Sequence, residues 1–301
     1  MNEFAPIIVF VYKRLRHTQQ TIESLIKNNL SEKSDLFVFS DGAKSDKSEN
    51  NVKEVRNYIK TIEGFKSVRI IEREKNFGLA GSIVTGVTEI INKYGKVIVL
   101  EDDMIVSPYF LQYMNETLNF YEKEDKVISV HAYVYPVREK LPNTFFIKGA
   151  DCWGWGTWQR GWELFENDTE KLLKEIKKRN LENDFDFNGS INNIRMLNDQ
   201  LKGRIDSWAI RWNASAFLKD KLTLYPGRSL VKNIGSGGTH VHSTEVFDAG
   251  LSQQPVEISK IEIEENKEAR KAFENYFRSI KPGFISRGIR RVKDTLRKNY
   301  G

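Results

Sequence analysis

The chain of 301 residues has a single cysteine, Cys152. It therefore holds no intramolecular disulfide and no cluster of thiolate metal ligands, and a reducing compartment suits it. No stretch approaches the roughly 20 apolar residues of a membrane span. The opening MNEFAPIIVFVYKR lacks the basic region that precedes the apolar run of a secretory signal. The expectation is a cytoplasmic protein without a transmembrane helix. Two nucleotide-binding loops are missing as well. No GxGxxG follows the first apolar run and no GxxxxGK[ST] occurs, which points away from a Rossmann dehydrogenase and from a P-loop enzyme. The body of the chain also lacks net charge. Residues 281–301 carry seven basic residues against Asp294, a net of +6, and the whole chain is +6, so the rest balances to zero. A body without net charge is not the basic surface that grips nucleic acid, and no nucleic-acid partner is expected.

What the chain does have is ordinary globular composition, 40% hydrophobic and 29% charged, and enough length for a full core. One stretch organises it: KVIVLEDDMIVSP, residues 96–108. Val97 to Leu100 is too short for a helix and rich in β-branched residues, so it reads as a fully buried strand. Glu101, Asp102 and Asp103 follow at once, and Ser107-Pro108 opens the helix PYFLQYMNETLNFY. Carboxylates at the end of a buried strand lie at the sheet edge where open α/β sheets bind ligands. Their mutual repulsion is relieved by a hard cation such as Mg²⁺ or Mn²⁺ held together with substrate phosphates. The other reading is a solvated acidic turn.

Strand and helix alternate three times before residue 101. Strands are read at 6–11, 36–39 and 68–71, and helices at 17–29 (Ile22, Leu25 and Ile26 inward), 52–62 and 77–92. That order predicts an α/β fold with a parallel, doubly wound sheet. Polar residues follow the strand ends: Tyr12 and Arg14, Asp41, then Asp102 and Asp103. Together they describe a cleft suited to a nucleotide. Beyond residue 125 the pattern changes. Strands are read at 127–134, 145–148, 222–225 and 229–232, with an alternating edge strand at 254–263. Helices are read at 163–180, 191–201, 207–220 and 266–280.

All six tryptophans lie between Trp153 and Trp212. Those of DCWGWGTW and DSWAIRW, among them Trp153, Trp155 and Trp208, are either an acceptor platform of aromatic faces for sugars or the core of the second half. Asp206 is either the N-cap before SWAIRW, a place it shares with Ser207, or a carboxylate general base. In NIGSGGTHVH, His240 and His242 alternate, so an extended segment turns them to opposite sides and only one reaches a metal. In residues 284–301, Ile285, Ile289, Val292, Leu296 and Tyr300 share one helical face and the basic residues cover much of the rest. This reads either as an interfacial helix in contact with an anionic membrane or as a solvated terminal helix.

The ordered set VYKR (11–14), SDGAK (40–44), EREKNFGLAGSI (72–83), VIVLEDDMIVSPYFLQYMN (97–115), DCWGWGTW (151–158), DSWAIRW (206–212) and KNIGSGGTHVHS (232–243) resembles family 2 glycosyltransferases of the GT-A fold. The bacterial relatives of N-acetylglucosaminyltransferase I are the nearest likeness. The resemblance implies a Rossmann-like, mostly parallel sheet flanked by helices, with a nucleotide-sugar half (1–125), a fused acceptor half (126–265) and C-terminal helices (266–301). It implies that Tyr12, Arg14 and Asp41 line the nucleotide. Arg73, Asn76, Gly78 and Leu79 would flank nucleotide and sugar, and Asp102 would face the ribose or donor sugar. Asp103 would coordinate Mn²⁺ or Mg²⁺, His240 or His242 would close over the diphosphate, and Asp206 would be the base. The activity implied is inverting, metal-dependent transfer of one hexosyl or N-acetylhexosaminyl unit, from a UDP-sugar by preference, to a cell-surface glycan or lipid-linked saccharide such as a capsule or lipopolysaccharide intermediate. The protein would sit in the cytoplasm or on the inner face of the membrane. WAIRW is a loose match to the QxxRW element of processive relatives, and without membrane spans a processive synthase is not expected. A sugar nucleotidyltransferase would show a glycine-rich basic loop after the first strand, which VYKRLRHTQQ lacks. A non-catalytic glycan-binding protein would keep the fold without turnover.

Overall fold

A computed structural model of the chain describes residues 4–235 and 245–280. The first half alternates as expected: β1 (Ile7–Val11), α1 (Leu15–Ile26), β2 (Asp35–Ser40), α2 (Asp46–Ile59), β3 (Ser67–Glu72), α3 (Gly78–Tyr94) and β4 (Lys96–Glu101). The short β5 (Met104–Val106) and α4 (Phe110–Phe120) follow. The second half holds β6 (Val127–His131), β7 (Thr144–Lys148), β8 (Trp155–Trp158), α5 (Gln159–Trp162), α6 (Thr169–Lys178), α7 (Glu182–Phe185), α8 (Asn193–Leu201), α9 (Trp208–Leu218), β9 (Leu222–Pro226), β10 (Val231–Asn233) and α10 (Lys267–Ile280).

Eight strands form one sheet in the order β3-β2-β1-β4-β8-β6-β9-β7. The first four are mutually parallel. β8 is antiparallel to both β4 and β6, which makes β6 parallel to β4, and β9 runs parallel to β6. The carboxyl ends of β1 to β4, β6 and β9 therefore share one edge. Apolar residues on both faces of β1, β2 and β4 are buried against helices on either side, with one core cluster around α1 and α4 and a second around α3 and the tryptophans. That two-sided burial is why these strands read as continuous apolar runs.

Several local readings need correction. Ile26 is exposed, so of the three residues read as inward α1 buries Ile22 and Leu25. The inward face of α1 is instead polar further along. Thr21 and Ser24 hydroxyls accept the backbone N–H of Met104 (3.1 Å) and Val106 (3.0 Å), and Asn28 accepts that of Leu111 (2.9 Å). The helix thereby satisfies the backbone of the chain that follows the acidic turn. Helix α2 starts at Asp46, six residues before the sequence reading, because the Ser48 hydroxyl accepts the Ser45 N–H (3.2 Å) at its N-terminus. The helix read at 163–180 is confined to α6, where Asp168 caps Lys171 N–H. Residues 254–263 form no strand. Val256, Ile258, Ile261 and Ile263 pack their side chains on the core without a backbone ladder, and only Glu265 bridges to Phe146. Strands β5 and β8 were not anticipated. Among the described residues no helix is long and apolar enough to cross a membrane.

Candidate active site

Because β1 to β4 are parallel, the residues after each of them meet at one edge. Arg14, after β1, forms ion pairs with both Asp102 and Asp103 after β4, at 2.8 Å to Asp103 Oδ2, and its Nε lies 3.3 Å from Asp102 Oδ2. Asp102 and Asp103 are buried. Burial raises the Asp102 carboxyl above its usual range, and Arg14 opposes that shift. Glu101 is pushed up to about 8 by burial first and by the Asp103 and Asp102 charges after it. Asp103 Oδ1 is buried without a hydrogen-bond partner among the described residues. Its backbone carbonyl accepts Ile234 N–H (2.9 Å), and β10 pairs antiparallel with β5, so Gly235 lies against the Asp103 carboxylate. A Cβ at Gly235 would fall 2.2 Å from Asp103 Oδ2.

A hard divalent cation fits this turn. The donors are carboxylate oxygens, one of them is buried without a hydrogen-bond partner among the described residues, and glycine at 235 keeps any side chain off the carboxylate. Among the described residues no group of three or more His, Cys, Asp or Glu gathers around one point, so substrate oxygens and water would complete the shell. His240 and His242 lie outside the described residues.

Asp41 is held by backbone donors on the same edge. Its Oδ1 accepts the N–H of Gly42 (3.0 Å) and Phe77 (2.9 Å), and its Oδ2 accepts that of Gly78 (3.0 Å). The carboxylate therefore closes the N-terminus of α3, where negative charge is favoured by the helix dipole. Gly42 allows the approach, since a Cβ there would meet the Lys75 carbonyl carbon at 2.6 Å. Asn76 adds a bond from Nδ2 to Gly42 O (2.7 Å). Gly78 takes a positive φ of 70°, and Phe77 and Leu79 are exposed at the rim. Arg73 stacks its guanidinium 4.2 Å from the Phe77 ring centre and donates to Thr85 Oγ1 (2.7 Å), while its buried Nη1 has no partner among the described residues. Tyr12 bonds Ser48 (3.2 Å) and accepts Lys44 N–H (3.0 Å). Thus Tyr12, Arg14, Asp41, Arg73, Asn76, Gly78, Leu79, Asp102 and Asp103 all follow strand ends on the shared edge.

The tryptophans separate. Trp155 and Trp208 are 1% and 3% exposed and stacked on each other at 5.2 Å, and Trp155 also packs against Trp162 and Trp212. No sugar face can reach them, so these two belong to the core and not to an acceptor platform. Trp153 is half-buried, donates its N–H to His131 Nε2 (3.0 Å) and sets its ring edge-on to Tyr133. Asp206 is exposed and accepts from Arg211 Nη2 at 2.9 Å. It does not cap α9. That role falls to Ser207, whose hydroxyl accepts Ile210 N–H. Asp151 was missed. Its Oδ2 accepts the hydroxyls of Tyr135 (2.9 Å) and Tyr225 (3.2 Å), joining the ends of β6 and β9. It opens the DCWGWGTW motif, but its tyrosine partners are 16 and 74 residues away and give no local signal.

The sheet and its flanking helices form the mixed α/β arrangement of the GT-A fold. A family model described as "Glycosyl transferase family 2" matches residues 7–183. No curated protein sequence matches the chain. Among solved structures, the chain is similar to the mannosyltransferase PcManGT from Pyrobaculum calidifontis in complex with GDP-Man and Mn²⁺ (15% identity, 44% of this chain and 36% of that one, TM-score 0.34). It is also similar to residues 1–349 of TarS from S. aureus (14% identity, 50% and 41%, TM-score 0.33) and to the bifunctional glycosyltransferase WbbM (13% identity, 44% and 24%, TM-score 0.30). It spans at most about two fifths of these three chains. The acidic turn, Arg14 and the Asp41 cradle all fall inside the matched span, which is more than half of the sequence: the chain belongs to glycosyl transferase family 2.

Proposed function

We propose that the protein is an inverting, metal-dependent glycosyltransferase that moves one hexosyl or N-acetylhexosaminyl unit from a nucleotide-sugar, by preference a UDP-sugar, to a hydroxyl of a cell-surface glycan or lipid-linked saccharide. The observation that carries this is the buried Asp103, with one unpartnered carboxylate oxygen, beside Asp102 and Arg14 at the edge shared by four parallel strands. In this reading residues 1–125 hold the donor and 126–265 the acceptor; of the C-terminal part, 266–301, residues 281–301 lie outside the described residues. Asp103 would hold Mn²⁺ or Mg²⁺, which would supply charge neutralisation for a leaving nucleoside diphosphate, and His240 or His242 would close over the diphosphate. Arg14 turns from the carboxylates toward the phosphates. Tyr12, Asp41, Arg73, Asn76, Gly78 and Leu79 frame the nucleotide, and Asp102 orients the ribose or donor sugar. Asp206, solvent-facing and oriented by Arg211, removes the proton of the acceptor hydroxyl. The acceptor oxygen then bonds to the anomeric carbon as the bond to the diphosphate oxygen breaks on the opposite face. One displacement inverts the configuration.

The test is thermal stability against UDP-, GDP-, dTDP- and CMP-sugars, each with and without Mn²⁺, beside Asp103→Ala. A ligand at about 100 times its Kd adds ~2.7 kcal/mol of stability. A shift with one nucleotide class that needs the metal and vanishes in the variant is expected. No shift with any donor would overturn the reading. The same reading has residues 284–301, outside the described residues, contact an anionic inner membrane face; vesicle binding unchanged by deleting them would remove that part.

A further inference from the structure

A second concave site lies on the same edge of the sheet, away from the acidic turn. It is a cavity of about 320 Å³, at the lower end of small-ligand pockets and of a size for one ring. The segment that leaves β6 forms one wall with Val134 to Val137 and Leu141, Gly227 and Arg228 after β9 form the second, and residues 249–252 form a strap across the third.

These walls are built. A Cβ at Gly227 would fall 2.0 Å from the Pro142 carbonyl oxygen, and the Gly227 N–H donates to Asn143 O at 2.7 Å. The strap is held at both ends. Ser252 N–H donates to Ser229 O (2.8 Å), Ser107 Oγ donates to Ser252 O (2.7 Å), and Lys232 pairs with Asp248 (2.6 Å). The lining is two-natured. Val134, Val137, Leu141 and Leu251 offer an apolar surface, while Glu139, Arg228 and Ser252 bring charged and hydroxyl groups, each already bonded to Asn275 or Gln254 and with capacity for more. A pyranose has the same division, with an apolar C–H face and a girdle of hydroxyls.

Position sets the relation to the chemistry. β6 is two strands from β4 and β9 is three, which at strand spacing is about 10 and 15 Å. That is wider than one pyranose ring. Trp153 lies between them. It precedes Gly154, where a Cβ would touch Leu100 of β4 and Val231 of β10, and its ring meets Tyr133 and Phe247 toward the cavity. Of Trp153, Trp155 and Trp208, it alone is not fully buried.

We infer that this cavity is a distal acceptor subsite that holds a sugar ring more than one unit from the reacting hydroxyl, with Trp153 supporting the chain between. The inference rests on the glycosyl-transfer reading and extends it: the protein lengthens a preformed oligosaccharide and does not prime one. The test is saturation-transfer NMR on the full chain with cellotriose, chitotriose, maltotriose and mannotriose as probes. At least one should bind. Val137→Trp, which fills the cavity, should weaken it at least tenfold and leave the nucleotide-induced stability shift unchanged. Leu251→Trp, from the facing strap, should do the same and serves if Val137→Trp does not fold. Binding by none of the four, or binding equal in both variants and the wild type, overturns the inference. Trisaccharide binding lost in these variants, with no nucleotide shift in the wild type, would keep the subsite and remove the transferase reading.

Discussion

Asp41 is the residue whose removal best separates scaffold from ligand site. Asp41 is 6% exposed and its carboxylate accepts three backbone N–H groups, two of them at the first turn of α3. Hydrogen bonds to a charged group contribute about 1.5–3 kcal/mol each, and a helix cap about 1. Phe77 is exposed and Gly78 half-exposed, so water replaces part of what is lost there, whereas Gly42 is buried. Asp41→Ala should therefore cost about 3 kcal/mol. Asp41→Asn keeps one acceptor oxygen. Placed on Gly42 and Phe77 it turns its NH₂ group against the Gly78 N–H, and placed on Gly78 it loses the other two, so about 1.5 kcal/mol is expected either way. Urea melts give both values. The nucleotide-induced stability shift, measured on each variant while still folded, gives the second readout. The cradle should hold the α3 N-terminus at the rim of the cleft, so Asn should weaken the shift and Ala should weaken it further. Asp41→Ala within about 0.5 kcal/mol of the wild type would refute the capping argument.

Arg14→Met leaves Asp102 and Asp103 buried without their cation and should cost about 2–3 kcal/mol; millimolar MnCl₂ should restore more melting temperature to the variant than to the wild type, and equal responses would count against a shared cation position. Trp155→Ala empties the centre of the tryptophan cluster and should cost about 3–5 kcal/mol by chemical denaturation. His131 is buried and neutral, with Nε2 accepting Trp153 N–H, and burial lowers its pKa. The unfolded chain therefore takes up the proton first as pH falls below the ordinary histidine value of about 6.5, and stability falls with it by at most about 1.4 kcal/mol per pH unit. His131→Gln should flatten that part of a stability profile between pH 5 and pH 7; an unchanged slope would assign it elsewhere.

The parallel half was legible because three of its four strands, β1, β2 and β4, are buried on both faces and each helix between them carries its own period. The acidic turn was legible for the same reason, since adjacent carboxylates after a buried run have few structural uses. What escaped was set by distance along the chain. Arg14 meets Asp102 and Asp103 across 88 and 89 residues, and nothing in VYKR names its partner. Asp41 serves the start of α3, 36 and 37 residues on. β8 was hidden by its own composition. WGTW has a glycine and no β-branched run beyond Thr157, and its place between β4 and β6 comes from packing against Met114 and Leu118 of α4, where a Cβ at Gly156 would clash. The stretch 254–263 failed in the opposite sense: its alternation was real, yet it records which side chains touch the core and no backbone pairing.

The insertion of β8 has a consequence for how the chain is made. β4 is finished at residue 101, but the strand that covers its free side ends at residue 158. At a synthesis rate of about 5–20 residues per second, the carboxylate-bearing strand spends roughly 3–11 s as an uncovered, apolar edge on the growing chain. Edges of that kind pair with other chains. The nascent protein is most exposed to aggregation in this interval, and slowed translation between residues 101 and 158 should lower soluble yield more than the same delay placed after β8 is in the sheet.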